Sequence, residues 1–162
     1  MNSEASMSAG IQPRKKTIRP LRMQLHIKPV WTDDDGLMLL RVSVEGNKRQ
    51  SWGEAYWYPK AVSEFGQALI DFPSSISDEV TLEFGSMDPM YADYVLVRAF
   101  VYDGAGHCAI EFKAESRGDA ITSSSVRFAV PTEAASLNEM GRRIMAWSLS
   151  PTEPFAFEGA GR

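Results

Sequence analysis

The stretch from Asp93 to Val130 limits the possible folds most, because its apolar residues recur with a period of two through three consecutive segments. In the first, Tyr94, Leu96, Phe100 and Tyr102 point one way and Val95, Val97, Ala99 and Val101 the other, with Arg98 the only charge inside it. A strand that is apolar on both faces belongs in the interior of a sheet. The second segment, about His107 to Glu115, has one dry side, Cys108, Ile110, Phe112 and Ala114, and one wet side. The third, about Thr122 to Val130, repeats the pattern with Val126, Phe128 and Val130. Asp103-Gly104-Ala105-Gly106 and Arg117-Gly118-Asp119 supply residues that turn tightly, so an antiparallel meander is expected.

The rest of the chain supplies partners for that meander. Leu21, Met23, Leu25 and Ile27 alternate with polar neighbours in a strand expected to end at Pro29, and Asp33-Asp34-Asp35-Gly36 makes a turn. Leu37 to Glu45 and Gln50 to Trp57 follow as strands, joined through Gly46-Asn47-Lys48. The clearest helix begins at Pro59, where a proline is tolerated; Ala61, Val62, Phe65, Ala68, Leu69 and Phe72 share one face, and Pro73 ends it. Ser77 to Phe84 reads as another strand. A second helix is expected after Pro131 with Thr132 as its N-cap, carrying the stripe Leu137, Met140, Ile144 and Trp147. Phe155 and Phe157 suit an extended tail against the body. The expected fold is α+β: a mostly antiparallel sheet of about seven strands, in the order β-β-β-α-β-β-β-β-α, with two amphipathic helices on one face.

At 162 residues the chain suits one domain with a proper core. Residues 1–18 read as a disordered basic leader, 19–158 as a single α+β domain, and 159–162 as a frayed end. Arg14, Lys15, Lys16, Arg19 and Arg22 against Glu4 give residues 1–22 a balance of +4; with the whole chain at −4, residues 23–162 carry −8. An acidic body of that kind repels nucleic acid and favours basic partners. No apolar run approaches the ~20 residues of a membrane span, no secretory signal is evident in Met1 to Gln12, and the single Cys108 suits a reducing compartment. A cytoplasmic location is therefore expected, with no membrane partner.

Catalytic patterns are sparse. His26 and His107 have no second ligand at a metal-binding spacing, and Cys108 beside His107 cannot share its proton, since neighbours in a strand point to opposite faces. The triple aspartate lacks the distal carboxylate of a calcium loop, and no glycine-rich phosphate loop precedes a helix. No cofactor and no metal is expected. Aromatic residues stand out instead: Trp52, Tyr56, Trp57 and Tyr58 fall within seven residues, and the loop before the meander carries Met87, Met90 and Tyr91. Such side chains serve cores and binding surfaces alike. Alternation sends Trp52 and Tyr56 to one face and Trp57 to the other. These seven are the candidate partner-binding residues. The leading expectation is a non-enzymatic protein-binding module, for which a bacterial toxin-neutralising immunity or adaptor protein is one form. The rivals are a small-molecule-binding or enzymatic domain with a pocket between sheet and helices, and a subunit that self-associates as a homo-oligomer.

Overall fold

The structure is a computed structural model that describes Gly10 and residues 22–85 and 93–161. Its elements are β1 (Arg22–Thr32), β2 (Met38–Gly46), β3 (Arg49–Trp57), α1 (Pro59–Ile70), β4 (Glu79–Gly85), β5 (Asp93–Val101), β6 (Cys108–Ser116), β7 (Ser124–Thr132), α2 (Ala134–Ser148) and β8 (Phe155–Ala160). The α+β class, the antiparallel pairing and both helices are as the periodicity implies. The strands form two sheets of four, however, ordered β3-β2-β1-β8 and β4-β5-β6-β7. The meander of β5, β6 and β7 is intact, with Val97 opposite Phe112 and Phe112 opposite Phe128. The tail does not fray at Gly159: β8 pairs antiparallel with β1, Phe157 opposite Leu25 and Gly159 opposite Met23.

The two sheets share one core. Met23, Leu25 and Ile27 of β1, Leu40, Val42 and Val44 of β2, and Phe155 and Phe157 of β8 join Val95, Val97, Ile110, Phe112 and Val130 of the other sheet in a single buried cluster. Two glycines let the sheets close: a Cβ at Gly53 would lie 2.6 Å from Val95 Cγ2, and one at Gly46 would lie 2.5 Å from Val130 Cγ1. The helices pack on each other, α1 also against β4 and α2 against β8, so the pair joins the two sheets. Close packing also explains Gly66 in mid-helix. A Cβ there would stand 2.8 Å from Ile144 Cγ2, and one on Gly141 would stand 2.6 Å from the Gly66 carbonyl oxygen. The crossing tolerates no side chain on either helix at that point.

Local chemistry sets the boundaries. β1 does not stop at Pro29: its register shifts between Pro29 and Trp31, and pairing resumes with Trp31 opposite Leu39. A bulge accommodates the proline that a regular ladder would reject. Asp33 Oδ1 then accepts from the backbone N–H groups of Asp35 and Leu37, at 2.9 and 2.8 Å, so the aspartate run is a hairpin turn. Asn47 and Lys48 have φ of 51° and 62°, a two-residue turn whose twist suits the hairpin. Thr132 is not the N-cap of α2. It ends β7, 1% exposed, and its hydroxyl donates to the Ala160 carbonyl; the capping position falls to Glu133. Among the described residues no helix is long and apolar enough to cross a membrane.

Candidate functional site

β3 is an edge strand of nine residues, and its two faces have opposite fates. Gly53, Ala55 and Trp57 turn into the core, whereas Trp52 and Tyr56 lie on the outer face of the sheet, 56% and 55% exposed. Trp57 is fully buried against Phe84 and offers nothing to a partner. It leaves the group of candidate partner-binding residues. Its indole N–H finds no acceptor among the described residues. Tyr58, 56% exposed, sits at the N-cap of α1. Met87, Met90 and Tyr91 lie outside the described residues.

The structure adds a residue that the sequence reading missed. Because the bulge carries β1 past Pro29, Trp31 stands opposite Leu39, which stands opposite Tyr56, all on the outer face. Trp31 is half exposed and meets Tyr56 edge to face, ring centres 6.3 Å apart. Two residues along, Arg41 pairs with Glu54, Nε to Oε1 at 2.8 Å, and its guanidinium stacks 4.4 Å over the Trp52 ring. Trp52 therefore has one face held by a cation and the remainder open to solvent. The available signal was Val30-Trp31 just before the aspartate turn: strand pairing close to that turn requires both arms to be extended. Among the described residues no other element covers this surface, and Trp31, Trp52 and Tyr56 are each more than half exposed.

Below the free edge of β3 lies a cleft of about 500 Å³, bounded by Ser51 to Glu54 and by the ends of β5, β6 and β7. Val95, Ala114 and Val126 occupy one register row of its lining, and Asp93, Ser116 and Ser124 the row two residues along the strands. Tyr94, beside them, has its hydroxyl donating to Glu83 at 2.7 Å. Burial, with the Glu83 hydrogen bond and carboxylate charge added, pushes its phenol up to about 12. The neutral phenol is thus favoured by folding, a stabilisation present below the ordinary value of 10.0 and lost as pH rises through about 12.

The remaining titratable groups have structural duties. Glu111, 6% exposed, accepts from Arg98 and Arg127 at 3.3 and 3.0 Å, and Arg98 also reaches Glu79. Glu54, Glu83 and Glu111 thus each have separate partners and do not form a carboxylate pair. His107 sits in the β5–β6 turn, where its Nδ1 meets Asp103; the same carboxylate accepts from the backbone N–H groups of Ala105 and His107. Those bonds, the one to His107 foremost, hold Asp103 below the usual carboxylate range. Cys108 is buried, which pushes its thiol up and away from the nucleophilic thiolate. Among the described residues, no three His, Cys, Asp or Glu side chains gather to hold a metal ion. Compared with known protein families and with curated proteins, the sequence matches none.

Proposed function

We propose that the protein is a protein-binding module that works by association rather than catalysis, and that it docks its partner on the outer face of the β3-β2-β1-β8 sheet along β3. The observation that carries this reading is the exposed group of Trp31, Trp52 and Tyr56, braced by Arg41 and Leu39 on a face that no other element covers among the described residues. Large rigid rings with a polar edge dominate binding energy at protein interfaces, where losing one commonly costs about 2 kcal/mol or more. These rings are already oriented by cross-strand neighbours, so ordering them on association costs little. An immunity or adaptor protein that neutralises a toxin in the bacterial cytoplasm is one concrete form, in keeping with an acidic body and a single buried cysteine.

The test is capture from native lysate with wild-type protein and with a Trp52→Ala/Tyr56→Ala double variant. A partner retained by the first and lost by the second, and encoded beside this chain's gene, is the expected result. Equal capture by both removes the aromatic face from the reading. The cleft supports a second reading, a small-molecule site, because its volume lies within the ~300–1,000 Å³ of ligand pockets. A thermal-shift screen yielding a ligand that protects the wild type but not an Asp93→Lys variant would favour it.

A further inference from the structure

We propose that the cleft beside β3 receives one extended, lysine- or arginine-bearing segment of the partner protein as an added strand. This rests on the protein-binding reading and states how the partner is held. The four edge strands of the two sheets are treated differently. On β8 the edge is covered: Arg143 donates to the Ala156 carbonyl at 2.9 Å, Ser136 Oγ accepts from the Ala160 N–H, and α2 lies alongside. On β4 the edge is flanked by α1, and β7 carries Pro131, which cannot donate to a ladder. β3 has none of these devices: no proline, no lysine, no bulge, and no helix along it among the described residues. Proteins ordinarily protect such an edge, so a nine-residue edge strand left uncovered among the described residues points to a strand that arrives from elsewhere.

The register says which groups are free. The two-residue turn makes Gly46 and Arg49 a hydrogen-bonded pair, and alternation then engages Ser51, Gly53 and Ala55 with β2. Gln50, Trp52, Glu54 and Tyr56 consequently direct their backbone N–H and C=O outward. An incoming strand that pairs with them would alternate its own side chains. One set would lie beside Trp52 and Tyr56 on the outer face, and the other would enter the cleft over Val126 and Asp93.

Charge selects the kind of segment. Among the described residues, the charged groups that line the cleft are Glu54, Asp93 and Glu115, with no lysine or arginine. Glu54 is engaged by Arg41, and Glu115 by Lys113 and Arg117. Asp93 is exposed and makes no ion pair with a described residue, which leaves its carboxylate for a cation on the incoming strand. A second copy of this chain, pairing β3 with β3, would bring a second Asp93 carboxylate without an ion pair to the same seam, so a heterologous basic segment is the occupant.

The probes are a capped heptapeptide alternating valine and lysine and its valine and glutamate counterpart, titrated into the full chain and followed by amide chemical shifts. The lysine peptide is expected to bind at least about tenfold more tightly than the glutamate peptide, about 1.4 kcal/mol, with shifts centred on residues 50–56 and on Asp93. Asp93→Lys, a change at an exposed position, should reverse the preference. Glu54→Pro removes one outward N–H without touching the β2 ladder and should abolish binding; the Asp93 reversal decides the matter if that variant does not fold. Equal affinities, no binding of either peptide at millimolar concentration, shifts centred elsewhere, or self-association through β3 in light scattering would overturn the proposal. A lysate partner lost by Trp52→Ala/Tyr56→Ala but kept by Asp93→Lys would sink strand addition alone and leave the protein-binding reading in place.

Discussion

β3 and β8 are the two outer strands of one sheet, and they differ in what lies beyond their edges. Both turn large apolar groups into the same core, Trp57 on one and Phe155 and Phe157 on the other. β8 hands its lateral backbone groups to α2 through Arg143 and Ser136, whereas β3 leaves Gln50, Trp52, Glu54 and Tyr56 without a lateral partner among the described residues. Edge exposure is therefore not a by-product of lying at the margin of the sheet. Among the described residues, the same fold covers one margin and leaves the other open beside exposed aromatic rings and a cleft.

Core truncations test whether the two strands are equally anchored. Trp57→Ala and Phe157→Ala should each cost about 3–5 kcal/mol in urea unfolding, since both side chains are 5% exposed or less. A loss below about 1 kcal/mol for Phe157→Ala would mean that β8 is not an integral strand, and the comparison would fail. Trp57→Phe should cost far less, because it keeps the ring contact with Phe84 and removes the indole N–H that finds no acceptor among the described residues.

Glycine positions give a middle-sized effect with an expected asymmetry. Gly53→Ala should destabilise by about 1–3 kcal/mol, because the new methyl would meet Val95 Cγ2 at 2.6 Å and Ala114 Cβ at 3.0 Å in the seam between sheets. Gly159→Ala on β8 should cost less than about 1 kcal/mol, since its nearest obstacle is the edge of the Phe157 ring at 2.9 Å. Thermal unfolding of the two variants side by side gives the sign directly.

How much of this was readable beforehand follows from the physics of each part. Period-two patterning located β5, β6 and β7, because both burial and register obey it. Trp57 was separable from Trp52 and Tyr56 for the same reason. The division into two sheets was not legible: pairing of β8 with β1 joins residues far apart in the chain, and no local pattern encodes it. Trp31 was missed because Pro29 ordinarily ends a ladder, and a bulge that absorbs it has no signature in the proline itself. Thr132 had the chemistry of an N-cap but spent its hydroxyl on the Ala160 carbonyl, a long-range contact. The cleft was invisible for a related reason, being assembled from β3 and the ends of three other strands.

Smaller effects should fall on the surfaces themselves. Arg143→Ala should lower stability by about 0.5–1.5 kcal/mol and speed amide exchange in β8, because the Ala156 carbonyl loses its guanidinium donor. Trp52→Ala should change stability by less than about 0.5 kcal/mol, its ring being more than half exposed. A larger loss would show that the ring serves the fold rather than a partner.

The most direct test of an open β3 edge is residue-resolved hydrogen exchange of the free protein along that strand. Protection should alternate: the Ser51, Gly53 and Ala55 amides, bonded to β2, should exchange slowly, and the Gln50, Trp52, Glu54 and Tyr56 amides fast. Uniform protection of all seven would contradict the account, since it would mean that the edge is already paired.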